Sequence, residues 1–501
     1  MSTSSPSHSS SASSSKTFSN SNKIGVFEAI AYCVGDIVGS GIFISPTSIL
    51  QHTGSVGMSL CVWVAGAVVA CCAAMVYVEL GTSIQKSGCD FAYLSHAKWH
   101  PFAAAFLWTL TFGEYIFDGL RPFWPSLEQD KAIAGVLKRL IGYMAIWLIS
   151  FINLFSLQKI AARFQVILTV LKLMVITLII LVGLYQIIIW ERTENFHNTF
   201  AGTKTDVGEI VLGMFASLFA YNGWDVLNFA TEEIENPRRV LPIGALCGIA
   251  ISGFVYVLIN IAYFSVMTVD ELKQSQAVAV LFAEKTLGTF SRAVPFLVAI
   301  LLLGNLNSSI FASSRYLFAG AKNGIMPTAL STVHSSSMSP RVAVLYEMLS
   351  LIVLSFVGDL EHLIGDLYAC VAEWLRRCEL GRKGNFPRRS YSLWLQKSFT
   401  VVALLYMRQH ESDFHRRKDA LRTPIVLPLL CLCFFVSMLV ISARKNPFII
   451  IYTVVMLAIG LILYYIFIFP QRTLPVFERI NKKSVRLVQL FLNTVELPKE
   501  D

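Results

Sequence analysis

The stretches LMVITLIILVGLYQIIIW (173–190) and VVMLAIGLILYYIFIF (454–469) contain no charged residue. As helices they cross, or nearly cross, a hydrocarbon core of roughly 30 Å. Within lipid each backbone polar group needs a partner inside the protein, which leaves helices and closed barrels. The apolar runs are continuous rather than alternating, which argues against a barrel. Composition agrees: 55% of the residues are hydrophobic and only 15% charged. That is too little charge to cover a soluble surface. The chain reads as an all-α polytopic membrane protein.

About twelve membrane segments can be drawn along it. They cover 26–50, 57–80, 101–119, 136–157, 163–190, 207–231, 243–267, 293–320, 341–357, 363–407, 425–443 and 447–469. The connections then alternate between two sides. SLQKIAAR, ENPRRVLP, RQHESDFHRRKDALR and the C-terminal tail carry most of the Lys and Arg. This side is expected to be cytoplasmic, with both termini there. The formal net charge of +9 is thereby read as topology, not as a nucleic-acid surface. Residues 1–22 are Ser-rich without an apolar core and read as a disordered tail. Residues 23–470 form the membrane domain and 471–501 a second tail. Most of the ten cysteines lie in apolar runs without metal-ligand spacing and read as small hydrophobes. No metal or cofactor is expected.

Two segments carry polar, helix-breaking patches. The first holds GDIVGSGIF (35–43), and the sixth holds LFAYNGWDVLNFATEE (218–233). They lie five segments apart, the signature of a five-helix inverted repeat whose first helices are both broken. GDIVGSGIF lacks the GK[ST] ending of a phosphate loop. Gly35 and Gly39, at i and i+4, could form a packing face. An unwound hinge with free N–H groups accounts for the whole cluster, including Ser40 and Gly41. Asp36 should face the interior, since a carboxylate at mid-membrane costs about 2.5–3.5 kcal/mol. Lys172 is the lone charge of LTVLKLMVITLIILV (168–182): either an interior functional group or a lysine reaching for the interface. NLNSSIFASSR (305–315) offers Asn305, Asn307 and Ser308 for interhelical hydrogen bonds or for a pathway. The nine histidines fall mostly in tails and loops, which argues against an embedded enzyme.

GDIVGSGIFISP, VELGTSIQKSGCDFAYL, FAYNGWDVLNFATEEIENPRRVLP and SIFASSRYLFAGAKNGIMP together resemble the L-type amino-acid transporters. These are the light chains of heteromeric transporters in the amino acid–polyamine–organocation superfamily. The resemblance spans about residues 23–470. It implies a LeuT-like 5+5 inverted repeat, with the first and sixth helices broken. It also implies sodium-independent exchange of neutral L-amino acids by alternating access at the plasma membrane; read from their own chemistry, Asp36 and Asp225 would admit cationic ones. Both acids could instead pair within the bundle. By motif match, Ile37, Ser40 and Gly41 would meet the substrate's α-carboxylate and α-amino group, with the carboxylate on the hinge N–H groups of Gly39 to Gly41. Phe219 would gate the site, with Ala220 and Asn222 beside it. Lys172 would stand in for a sodium ion. Asp36 and Asn305 are pathway candidates by their own chemistry, not by the motif match.

Three stretches depart from the family. Ser126 stands near the position where heavy-chain-linked members carry a cysteine, so a single-span glycoprotein partner would bind without a disulfide. The third segment is short and contains Glu114. The tenth is interrupted by a basic insertion, LRRCELGRKGNFPRRSYSLW (375–394). Removing it joins DLYACVAEW to LQKSFTVVALLYM, one span's length. The insertion is a retained foreign stretch or a real basic loop. The rival reading is a non-transporting isoform or regulatory membrane protein.

Overall fold

A computed structural model describes residues 23–113, 132–154, 160–275, 278–335, 337–363, 385–410, 420–445, 448–469 and 475–496. The order is α1 (Val26–Ile37), α2 (Gly41–Thr53), α3 (Val56–Ser83), α4 (Cys89–His96), α5 (His100–Gly113), α6 (Ala132–Leu154), α7 (Ala162–Trp190) and α8 (Val207–Ala220). A 3₁₀ stretch, Val226–Glu233, follows. Then come α9 (Pro237–Val266), α10 (Val269–Gln274), α11 (Val278–Thr286), α12 (Val294–Lys322), α13 (Arg341–Leu363), α14 (Asn385–His410), α15 (Val426–Lys445), α16 (Phe448–Leu463) and α17 (Pro475–Leu492).

Among the described residues, α3, α7, α9, α12 and α15 are each long and apolar enough to cross a membrane. The pair α1 and α2 makes a sixth candidate, bent by 48° at its break. The third segment runs from α5 into 114–131, and the tenth approaches α14 through 364–384. Both stretches, with Glu114, Ser126 and residues 1–22, lie outside the described residues.

α7 shows the order expected of a membrane helix, with polar groups turned inward and apolar ones outward. α7 buries Gln165, Thr169 and Lys172, spaced i, i+4 and i+7, and exposes Met174, Leu178, Leu181 and Ile188. Lipid rewards that arrangement, because apolar side chains lose nothing by facing acyl chains while polar groups need partners inside. Local signals set the helix ends. Gly54 closes α2 at φ +81°, a left-handed cap that glycine adopts without strain. The Ser55 hydroxyl then accepts from the Met58 N–H at 3.4 Å to start α3. The Asp206 carboxylate does the same for α8, accepting from Gly208 at 3.1 Å.

At the centre α1 packs on α9, α7 and α12, α2 on α8, and α3 on α9 and α8. Two boundaries differ from the sequence reading. α14 already begins at Asn385, and Trp394 is buried with its ring 5.0 Å from Phe435. The last residues of 375–394 therefore belong to a packed helix, because their apolar side chains have a partner in α15. The C-terminal stretch is likewise more than a tail. α17 leads into a strand, Thr494–Glu496, paired antiparallel with Thr332–His334.

Candidate functional site

The first break is built from backbone groups. After Ile37 the chain turns at Val38, with φ −78° and ψ 75°. The Val38 N–H donates to Val34 at 2.9 Å, and the Gly39 N–H folds back onto Ile37 at 2.9 Å. Among the described residues, the N–H groups of Ser40, Gly41 and Ile42 have no backbone partner. They form the open first turn of α2, the positive end of a helix dipole. The donor set thus shifts by one residue from the Gly39–Gly41 expected: Gly39 has already used its N–H. On the other side of the break Lys172 reaches in from α7. Its Nζ donates to the carbonyls of Gly35, at 2.8 Å, and Val38. Lys172 is fully buried, which excludes the interface-seeking alternative.

The glycines of this stretch act by closeness. A Cβ on Gly35 would lie 1.9 Å from Gln165, one on Gly39 2.8 Å from Asn305, and one on Gly41 2.6 Å from the Ala220 Cα. None of the three adopts a positive φ. Hinge and packing face are therefore one feature: the chain breaks where three neighbours press on it.

The second break follows α8. The Asn222 N–H returns to Phe219 at 3.2 Å, and Gly223 turns the chain at φ +109°. An l side chain there would be strained, and its Cβ would sit 2.7 Å from the Asp36 carboxylate. The next acid, Asp225, is buried and paired with Lys397 of α14. The Lys397 ammonium also lies 4.4 Å from the Trp224 ring and 5.0 Å from Tyr77. Such cation–π contacts strengthen when water is excluded. Cys89, Asp90 and Asp225 converge within 4.8 Å. That donor set would suit a metal, but Lys397 already meets Asp225, and the Tyr77 and Thr400 hydroxyls donate to Asp90.

One hydroxyl ties the breaks together. Tyr256 Oη lies 2.7 Å from the Ile37 carbonyl and 2.8 Å from that of Ala220. It carries one proton and serves one carbonyl at a time. Around this junction Ile37, Val38, Ala220 and Tyr221 are buried, while Asp36, Ser40, Phe219, Asn222 and Asn305 keep accessible surface. Mostly polar, partly accessible groups therefore border the junction of the two breaks. The NLNSS run divides its labour. Asn305 donates to the Asp36 carbonyl at 2.8 Å. Asn307 links Asn153, at 2.8 Å, to Gln165, at 2.6 Å, a purely interhelical role. Sequence reasoning missed Gln165, Thr169, Tyr256 and Lys397. The i, i+4, i+7 spacing of polar residues in α7 would have revealed the first two.

Residues 24–482 match the amino acid permease family. Amino acid transporter protein 6 of Caenorhabditis elegans is 39% identical over 498 residues, covering 95% of this chain and 90% of the relative. The human cystine/glutamate transporter is 33% identical over 494 residues, 96% of this chain and 91% of its own. Mouse b(0,+)-type amino acid transporter 1 is 31% identical over 505 residues, 97% and 95%. The chain belongs to the amino acid permease family. This permease is a multi-pass membrane protein, and its paired breaks sit within the matched region. At one end of the permease bundle the chain is clamped. Ile24 and Ile234 form a parallel bridge. Arg315 grips Glu233 with two hydrogen bonds of 3.0 and 3.1 Å and stacks 4.0 Å over Phe311. Buried bidentate pairs of this kind are the strong ones.

Proposed function

We propose that this permease exchanges L-amino acids across the plasma membrane, without sodium, by alternating access. The observation that carries the reading is the set of free N–H groups at Ser40, Gly41 and Ile42, set against the carbonyl ends of both breaks. A substrate α-carboxylate would take those donors. Its ammonium would take the carbonyls of Ile37, Phe219 or Ala220, displacing the Tyr256 hydroxyl. Phe219 would close over the bound substrate, and Asn222 would border its side chain. Lys172 supplies the interior cation that a sodium ion would otherwise provide, so no coupling ion is required.

Twelve segments in a LeuT-like 5+5 repeat remain our reading of the architecture, with residues 23–470 as the membrane domain. The packing supports it. Exchanging segments 1 with 6 and 2 with 7 turns the α1–α9 contact into the α8–α3 contact, and both are present. Exchanging 3 with 8 and 5 with 10 turns the α7–α12 contact into α14–α5, also present. Both termini are assigned to the cytoplasm. A single-span glycoprotein partner, if recruited, would bind without a disulfide.

Reconstitution of the full chain in proteoliposomes tests the exchange. Labelled leucine or lysine should enter several-fold faster when the lumen holds unlabelled amino acid, equally in sodium and in choline. Uptake indifferent to the lumen would refute exchange, and uptake requiring sodium would refute the lysine substitution.

A further inference from the structure

The charges around the two breaks do not balance. Two ammonium groups, Lys172 and Lys397, face three carboxyl groups, Asp36, Asp90 and Asp225. Lys172 spends its donors on the carbonyls of Gly35 and Val38. Lys397 contacts Asp225, and Asp90 is held by the Tyr77 and Thr400 hydroxyls. Asp36 is left over. Among the described residues its carboxylate has no hydrogen bond and no ion pair; only its backbone carbonyl is taken, by Asn305. It is also the most accessible of the three, partly exposed where Asp90 and Asp225 are buried. It leans towards Gly223, where the missing side chain leaves room for it.

An ionised carboxylate at membrane depth is costly until a cation meets it. Asp36 and the first free N–H, at Ser40, flank the same break, four residues apart in the chain. A basic side chain on a flexible carbon stem can carry its ammonium from one to the other. We propose that Asp36 is the specificity-determining residue of this permease. It receives the side-chain cation of a basic amino acid whose α-carboxylate lies on the N–H groups of α2. The assignment rests on the exchange reading above and adds the substrate class. Asp225, the other acid of the breaks, is ruled out as the selector because Lys397 already occupies it.

The test compares labelled lysine and leucine in the full chain reconstituted in proteoliposomes, beside binding followed by thermal shift in detergent. The native chain should prefer lysine. Asp36→Asn should lower the lysine-to-leucine ratio of kcat/KM about 30-fold, within the range expected for one hydrogen bond to a charged group. Asp36→Glu should retain most of the preference. Lysine should stabilise the native chain against heat and lose that effect in Asp36→Asn, while leucine stabilises both. A ratio unchanged in Asp36→Asn would overturn the proposal, as would a native chain that moves leucine but not lysine. So would leucine uptake that accelerates in external acid and loses that acceleration in Asp36→Asn, since the partner would then be a proton. A native chain that binds and moves neither amino acid would instead sink the exchange reading on which the assignment stands.

Discussion

The two breaks solve the same problem with different groups. Each interrupts a helix at a depth where water is scarce, and each places a buried lysine beside the interruption. At the first, Lys172 donates directly to backbone carbonyls, those of Gly35 and Val38. At the second, Lys397 serves a side chain, Asp225, while the freed Ala220 carbonyl is met by Tyr256. The turn itself is made by Gly223 at φ +109°. One lysine therefore repairs the helix, and the other balances an acid that the chain brought in. The difference teaches that a broken helix needs donors for its carbonyls, not a particular residue, and that charge balance is a separate requirement.

The comparison breaks most visibly at Lys397. Lys397→Met leaves Asp225 buried without its cation, which should cost about 3–5 kcal/mol. Thermal unfolding in detergent should show a large fall in Tm or loss of folded protein. The double variant Lys397→Met, Asp225→Asn should recover most of it, because the uncompensated charge is gone. A single variant as stable as the native chain would mean that the pair carries no structural weight.

Lys172→Ala asks the matching question at the first break. Two carbonyls lose their donor, each unsatisfied group costing about 1–3 kcal/mol. A small cation fits the vacated place, so sodium should restore part of the lost stability and uptake, more than choline does. The same sodium response in Lys397→Met would erase the distinction drawn between the two lysines.

Much of this was legible in the sequence, and what was not has a physical reason. The breaks were readable because Gly, Asp and Asn are costly inside an apolar run. Lys172 stood out as the lone charge of the apolar stretch 168–182. Gly39 was misjudged as a donor because a backbone turn decides which N–H groups remain free, and side-chain identity does not encode that. Lys397 was hidden by the basic stretch 375–394, beside which one more lysine carried no signal. Its meaning appears only when α14 packs against the sixth segment. Tyr256 was invisible because tyrosine is ordinary in a membrane helix. Its role depends on two carbonyls 183 residues apart in sequence, Ile37 and Ala220, meeting at one oxygen.

That hydroxyl gives the smallest and finest test. Tyr256→Phe keeps the ring, which packs 5.0 Å from both Trp63 and Tyr221, and removes only the proton shared between the breaks. One net hydrogen bond is worth about 1 kcal/mol, so Tm should fall slightly and the protein should fold. The kinetic effect has a sign. A substrate ammonium and the Tyr256 proton compete for the same carbonyls, so deleting the hydroxyl removes a competitor. The affinity for amino acid should rise a few-fold, while the rate of exchange falls, because a substrate held more tightly leaves the site more slowly. Measuring KM and kcat separately decides the point. An unchanged KM with a lower kcat would assign Tyr256 to the moving bundle alone, and the breaks would then share a scaffold but not a binding site.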